Sequence, residues 1–238
     1  TPSHVNPKAL EADMKGVDIL SRSYTIEENE IARDYFKKAI ELDSTFAIAY
    51  AHLARSYLDY SRLGGKTVLE SAQLAEGFNK IALRLDPQLA EAYLNKFLYL
   101  YFFKWDWDEA LSALEKAQEL KPNDPDVLIT LMQYYTCSGQ FDKAFETFNK
   151  LKQIGPEKYV LGWKVWIQFH SRDFEGGLNT TDKILELYPD LLLEEQSWCL
   201  SMLGRHEEAV SSYKKFLSSI EGGSNVFLNG IAGWVFAR

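Results

Sequence analysis

Apolar and polar positions along the chain alternate with helical spacing, and the same helical block returns six times. The blocks are ARDYFKKAIELDS (Ala32–Ser44), AEGFNKIALRLDP (Ala75–Pro87), ALSALEKAQELKP (Ala110–Pro122), AFETFNKLKQIGP (Ala144–Pro156), GLNTTDKILELYP (Gly177–Pro189) and AVSSYKKFLSSIE (Ala209–Glu221). Each opens on a small residue, places a bulky or intermediate one about four positions later and another packing residue three after that, then stops. Four of the six stops are prolines, which cannot donate to a helix and disfavour helix in the residue before them. Upstream of each block lies a second helical pattern ending in a turn, clearest at GQFD (Gly139–Asp142), SRDFE (Ser171–Glu175) and GRHEE (Gly204–Glu208). Ala110 and Ala144 stand 34 residues apart, and the other intervals are close except for the 43 from Ala32 to Ala75. Self-similarity at this period signals stacked helix pairs.

The long interval contains SRLGGKTVLES (Ser61–Ser71), whose Gly-Gly-Lys-Thr resembles the end of a phosphate-binding loop. Such a loop needs a glycine where this chain has Tyr60, and it follows a strand. Here AIAYAHLARSYLDY (Ala47–Tyr60) has the spacing of a helix. The stretch therefore reads as a lengthened turn between two helices, with Gly64 and Gly65 supplying permissive backbone.

Tyr50, Leu53, Ala54, Tyr57, Ala75, Ala82 and Pro87, and again Leu128, Leu131, Tyr135, Gly139, Phe141, Ala144, Phe148 and Pro156, carry a pattern that resembles the tetratricopeptide repeat (TPR) family over nearly the whole chain. The resemblance implies an all-α fold, a right-handed superhelical solenoid of antiparallel helix pairs forming a single domain. The expected repeats are 9–46, 47–89, 90–124, 125–158, 159–189 and 190–223, with a partial repeat at 224–238. Asn6–Leu20 reads as the first helix of repeat one, with Gly16 at its small-residue position. The small residue opening each second helix lets its partner approach, and neighbouring repeats bury the remaining apolar faces. The later packing position changes from Ala39, Ala82 and Ala117 to Leu151, Ile184 and Phe216, which predicts a change of curvature between repeats three and four. Arrays of this kind finish with a polar cap, whereas Ile231, Trp234, Val235 and Phe236 are apolar. The chain thus reads as a fragment that self-associates through its last half-repeat.

Composition narrows the function. With 26 Lys and Arg against 34 Asp and Glu, a formal charge of −8 argues against phosphate-backbone binding, so no nucleic-acid partner is expected. The longest apolar run, Phe97–Phe103, is too short to span a bilayer, and no membrane segment is expected. Cys137 and Cys199 lack metal-ligand spacing and read as buried thiols, which favours a reducing, cytoplasmic setting. None of His4, His52, His170 and His206 has a second His or Cys at helical ligand spacing, so no metal or other cofactor is expected. His170, Ser171 and Asp173 adjoin one another across a turn without the convergence a catalytic triad needs. The carboxylates of WDWDEA (Trp105–Ala110) sit where a helix N-terminus favours them, and Asn179-Thr180-Thr181 lies inside a predicted helix. No enzyme is expected.

In TPR arrays the first helices of successive repeats line a concave groove that takes a peptide or protein segment. The resemblance places Arg55, Leu94, Leu98, Tyr101, Phe102, Gln133, Trp163, Ile167, His170, Trp198 and Met202 there, with Asp59 and Thr136 beside them. Some of these residues pack between repeats instead in a competing reading, with at least one of Tyr101, Phe102, Trp163 and Trp198 exposed. The surface is apolar, aromatic or acidic (Glu91, Asp126) and lacks the Lys, Arg and Asn clamp with which TPR co-chaperones hold acidic tails. NPKALEADMKG, FKKAIELDSTFAIAYAHLARSY and WDWDEALSALEKAQELKPNDPD resemble TPR regions of bacterial winged-helix regulators and of adenylate and guanylate cyclases. That likeness implies an interaction or sensory region of a bacterial regulatory protein; the alternative is an aromatic groove that closes over a metabolite.

Overall fold

A computed structural model of the protein describes residues 5–22, 25–62, 68–155, 157–189 and 191–219. All regular structure among these residues is helical. The elements are α1 (Pro7–Ser21), α2 (Ile26–Leu42), α3 (Ala47–Arg62), α4 (Val68–Leu85) and α5 (Ala90–Tyr99), which runs into a π turn (Leu100–Lys104). There follow α6 (Trp107–Leu120), α7 (Pro125–Cys137), α8 (Phe141–Ile154), α9 (Glu157–His170), α10 (Phe174–Leu187), α11 (Leu193–Met202) and α12 (His206–Ser219). The chain divides into two compact units, Thr1–Val127 and Leu128–Arg238.

The aligned small residues explain the pairing. Ala32, Ala110, Ala144 and Ala209 are fully buried, Ala75 is 1 % exposed, and Gly177 is buried. A Cβ on Gly16 would lie 2.5 Å from the Phe36 ring of its own pair, and one on Gly177 would lie 2.7 Å from Sγ of Cys199 on α11, the helix after its pair, so neither position has room for one. The later packing residues Ala39, Ala82, Ala117, Leu151 and Ile184 are buried as the alignment requires. In the first unit Ala32, Phe36 and Leu53 form one core cluster and Ala51, Ala82 and Ala92 another. In the second, Leu128, Met132, Ala144, Phe148 and Ile167 cluster, as do Val165, Leu178, Cys199, Leu200 and Tyr213.

Four of the first helices, α5, α7, α9 and α11, end alike. A left-handed residue stands in the turn at Trp105 (φ 58°), Gly139 (φ 74°), Arg172 (φ 65°) and Gly204 (φ 77°). Gln140, Asp173 and Arg205 then donate their backbone N–H to the carbonyls of Tyr135, Gln168 and Leu200, closing the last turn. After the π turn, Asp106 reaches back one residue further, to Leu100. The second helices start on side-chain caps at Thr25, Asp106 and Asp173, which accept from the N–H of Glu28, Glu109 and Gly176.

The lengthened turn at 61–71 is narrower than expected, because Ser61 and Arg62 end α3 and Val68 to Ser71 belong to α4. Leu63 to Thr67, with the paired glycines, and the half-repeat expected at 224–238 lie outside the described residues. Cys199 is buried, but Cys137, on the last turn of α7, is exposed.

Candidate partner-binding faces

In the first unit, α1, α2 and α3 meet through polar contacts that the apolar pattern does not reveal. His52 Nδ1 lies 2.9 Å from Asp13 Oδ1, and Asp13 is only 4 % exposed. Arg33, also buried, lies over the rings of Tyr57 and Tyr60 at 4.6 and 4.4 Å. Arg55 and Asp59 form an ion pair at 3.0 Å on α3, so these two expected groove residues neutralise each other. Leu98 and Tyr101 are half-buried, whereas Phe102 is exposed, together with Trp105 and Trp107 just beyond it. The Trp105 and Trp107 rings meet edge to face at 6.5 Å.

In the second unit the aromatic residues form a connected strip. Trp163 and Trp166 meet edge to face at 5.9 Å, and Trp166 and His170 lie 4.3 Å apart. Phe169 touches His170 at 5.7 Å and Trp198 at 5.8 Å, linking α9 to α11. His170 is exposed, and its Nδ1–H donates to the Trp166 carbonyl at 2.8 Å. Gln133 and Met202 are half-buried. The Trp198 indole N–H is buried and has no acceptor among the described residues.

Three of the residues expected in or beside the groove are covered in the structure. Leu94 is 5 % exposed and Ile167 is fully buried, and Thr136, 3 % exposed, donates to the Met132 carbonyl. Their side chains pack in the core, because a first helix is apolar both toward its own pair and toward its neighbour. Trp166 and Phe169 are the residues the sequence reading missed; the signal was present in GWKVWIQFH, where aromatics recur at three- and four-residue spacing.

Two electrostatic features stand apart from the strip. On α11, burial, with the neighbouring Glu195 carboxylate, pushes the Glu194 carboxyl up to about 7, and its Oε1 is buried without a partner among the described residues. Burial also pushes the Cys199 thiol up to about 12, so it is a packing group rather than a nucleophile. No group of three or more His, Cys, Asp or Glu able to hold a metal occurs among the described residues. No described helix is long and apolar enough to cross a membrane.

Comparison with known proteins adds the family context. A tetratricopeptide repeat profile matches residues 106–164. Cellulose synthase operon protein C of Komagataeibacter xylinus is 38% identical over 56 residues, 24% of this chain and 4% of that protein. Protein O-mannosyl-transferase TMTC1 of Homo sapiens is 28% identical over 123 residues, 49% of this chain and 14% of that protein. The chain thus spans a small part of the length of the curated relatives it matches. The crystal structure of a tetratricopeptide repeat protein from Parabacteroides merdae superposes with a TM-score of 0.64 at 16% identity, over 98% of this chain and 87% of that one. Small residues buried between paired helices, a matching repeat profile and a structural likeness along nearly the whole length agree: this chain has the tetratricopeptide-repeat fold and carries a tetratricopeptide repeat at residues 106–164.

Proposed function

We propose that the chain is a non-catalytic scaffold that binds a peptide or protein segment, and that it serves as the interaction region of a bacterial signalling or transcription-regulatory protein in the cytoplasm. TPR proteins bind protein or peptide partners. The observation that carries the reading here is the strip of Trp163, Trp166, Phe169, His170 and Trp198, whose rings touch one another while His170 stays exposed and the others remain partly accessible. Rigid aromatic residues lose little conformational freedom on binding and dominate the energetics of such contacts. A net charge of −8 favours ligands with basic residues beside their apolar anchors. The likeness of three segments to TPR regions of winged-helix regulators and cyclases supports the bacterial regulatory setting.

The test is selection of a displayed random-peptide library on the folded chain, followed by affinity measurement on the selected peptides. Peptides with aromatic or aliphatic anchors should emerge, and Trp166→Ala or His170→Ala should weaken them roughly tenfold or more. Far-ultraviolet circular dichroism should be unchanged in His170→Ala, whose side chain is exposed. Failure to enrich any peptide, or equal binding by both variants, would overturn the proposal.

A further inference from the structure

The second repeat departs from its neighbours at one core position. Four residues into the aligned block, the other repeats place Phe36, Leu114, Phe148, Thr181 and Tyr213, all buried; the second places Asn79. A cavity of about 280 Å³ opens beside it, wholly within the first unit. Its apolar walls are Leu58, Ala75, Leu83 and Leu100. On its polar side Asn79 Nδ2 donates to the Ala92 carbonyl, while Asn95 Nδ2 donates to the Ala51 carbonyl and to Asn79 Oδ1. Asn95 is 4 % exposed, yet its Oδ1 accepts no hydrogen bond among the described residues. The carboxamide oxygen of this cavity-lining residue is an acceptor available to a donor bound there.

Charges frame the same space. Glu76 lies on the lining, where the Lys80 ammonium and the Tyr99 hydroxyl, donating at 2.8 and 2.9 Å, hold its carboxyl below the ordinary range, so it stays ionised. Also on the lining, Lys96 pairs with Glu109 at 2.8 Å. The Lys80 side chain is 72 % exposed and that of Lys96 37 %, so both ammonium groups have freedom to turn toward a ligand. The volume equals that of about nine water molecules, which suits some ten non-hydrogen atoms and excludes a nucleotide or a folded segment.

We propose that this cavity binds a free amino acid with an apolar side chain. The α-ammonium would donate to Asn95 Oδ1 and to the Glu76 carboxylate, the α-carboxylate would accept from Lys80 or Lys96, and the side chain would lie against Leu58, Leu83 and Leu100. The site shares no residue with the aromatic strip on α9 and α11, so it stands or falls separately from peptide binding.

Titration calorimetry and thermal melting of the whole chain with L-leucine, L-isoleucine, L-methionine and L-phenylalanine test this. Stoichiometric binding in the range of roughly 10 μM to 1 mM and a saturable rise in melting temperature are expected, with no response to the N-acetyl amides, which lack both charges. Glu76→Gln should weaken binding about tenfold or more and barely alter the melting temperature of the free protein. Asn79→Leu, which gives the second repeat the residue the third already carries, should fill the cavity and abolish binding. Trp166→Ala should leave amino-acid binding intact. No heat or thermal shift with any of the four amino acids at about 10 mM, or affinity unchanged in Glu76→Gln, would overturn the proposal.

Discussion

Gly16 shows how tightly single residues are specified. A methyl group there would stand 2.5 Å from the ring of Phe36, itself fully buried against Leu53, so the ring cannot swing aside into open space. Gly16→Ala would gain about 1 kcal/mol of helix propensity in α1 but lose roughly 1–3 kcal/mol to overpacking. A net loss in chemical denaturation is therefore expected; a stabilised variant would show that α1 and α2 can separate freely. The sequence made this position legible because Gly16 falls at the small-residue position of a first helix, as Ala54 does in the second repeat. It did not separate Leu94 and Ile167 from Phe102 and His170. Both sets lie on first helices with helical spacing, and only the neighbouring helix decides which apolar face is covered. Asn79 was visible as the odd member of its aligned column, but a hydrogen-bonded cavity follows from where Asn95 reaches, which spacing cannot tell.

At the scale of elements, α11 and α12 carry a pH dependence. Glu194 on α11 has a carboxyl raised to about 7 by burial and by Glu195, and the group it approaches on α12 is the uncharged Tyr213 phenol. In the unfolded chain the same carboxyl titrates near 4.5. Between these values the folded state holds the proton more firmly, so this pair of helices is favoured below about pH 4.5 and loses that contribution as pH rises through 7. Glu194→Gln removes the titration. Its melting temperature relative to the parent should climb between pH 5 and pH 8, by an amount corresponding to roughly 1–3 kcal/mol. A difference that stays flat across that range would show that Glu194 is solvated. Nothing in the residue pattern hints at this, since two glutamates in a first turn ordinarily read as complements to the helix dipole.

Over the whole molecule, helix class and pairing were legible because each buried alanine recurs in register, whereas the π turn was not. One residue more than an ordinary helical closure is accommodated between Leu100 and Lys104, and Trp105 then takes the left-handed place that Gly139 and Gly204 fill elsewhere. Since each helix pair contacts only itself and the repeats beside it, a change of chain length is absorbed where it arises and need not travel onward. Deleting Phe102, half exposed in that turn, should therefore restore the shorter closure and keep the melting temperature and helical content near those of the parent. Deleting Ala113 from α6 should instead rotate the residues beyond it by about 100° and unfold the pair it belongs to. The π turn is thus a spare link in the chain, where a codon can be lost while the helix pair that holds it keeps its register.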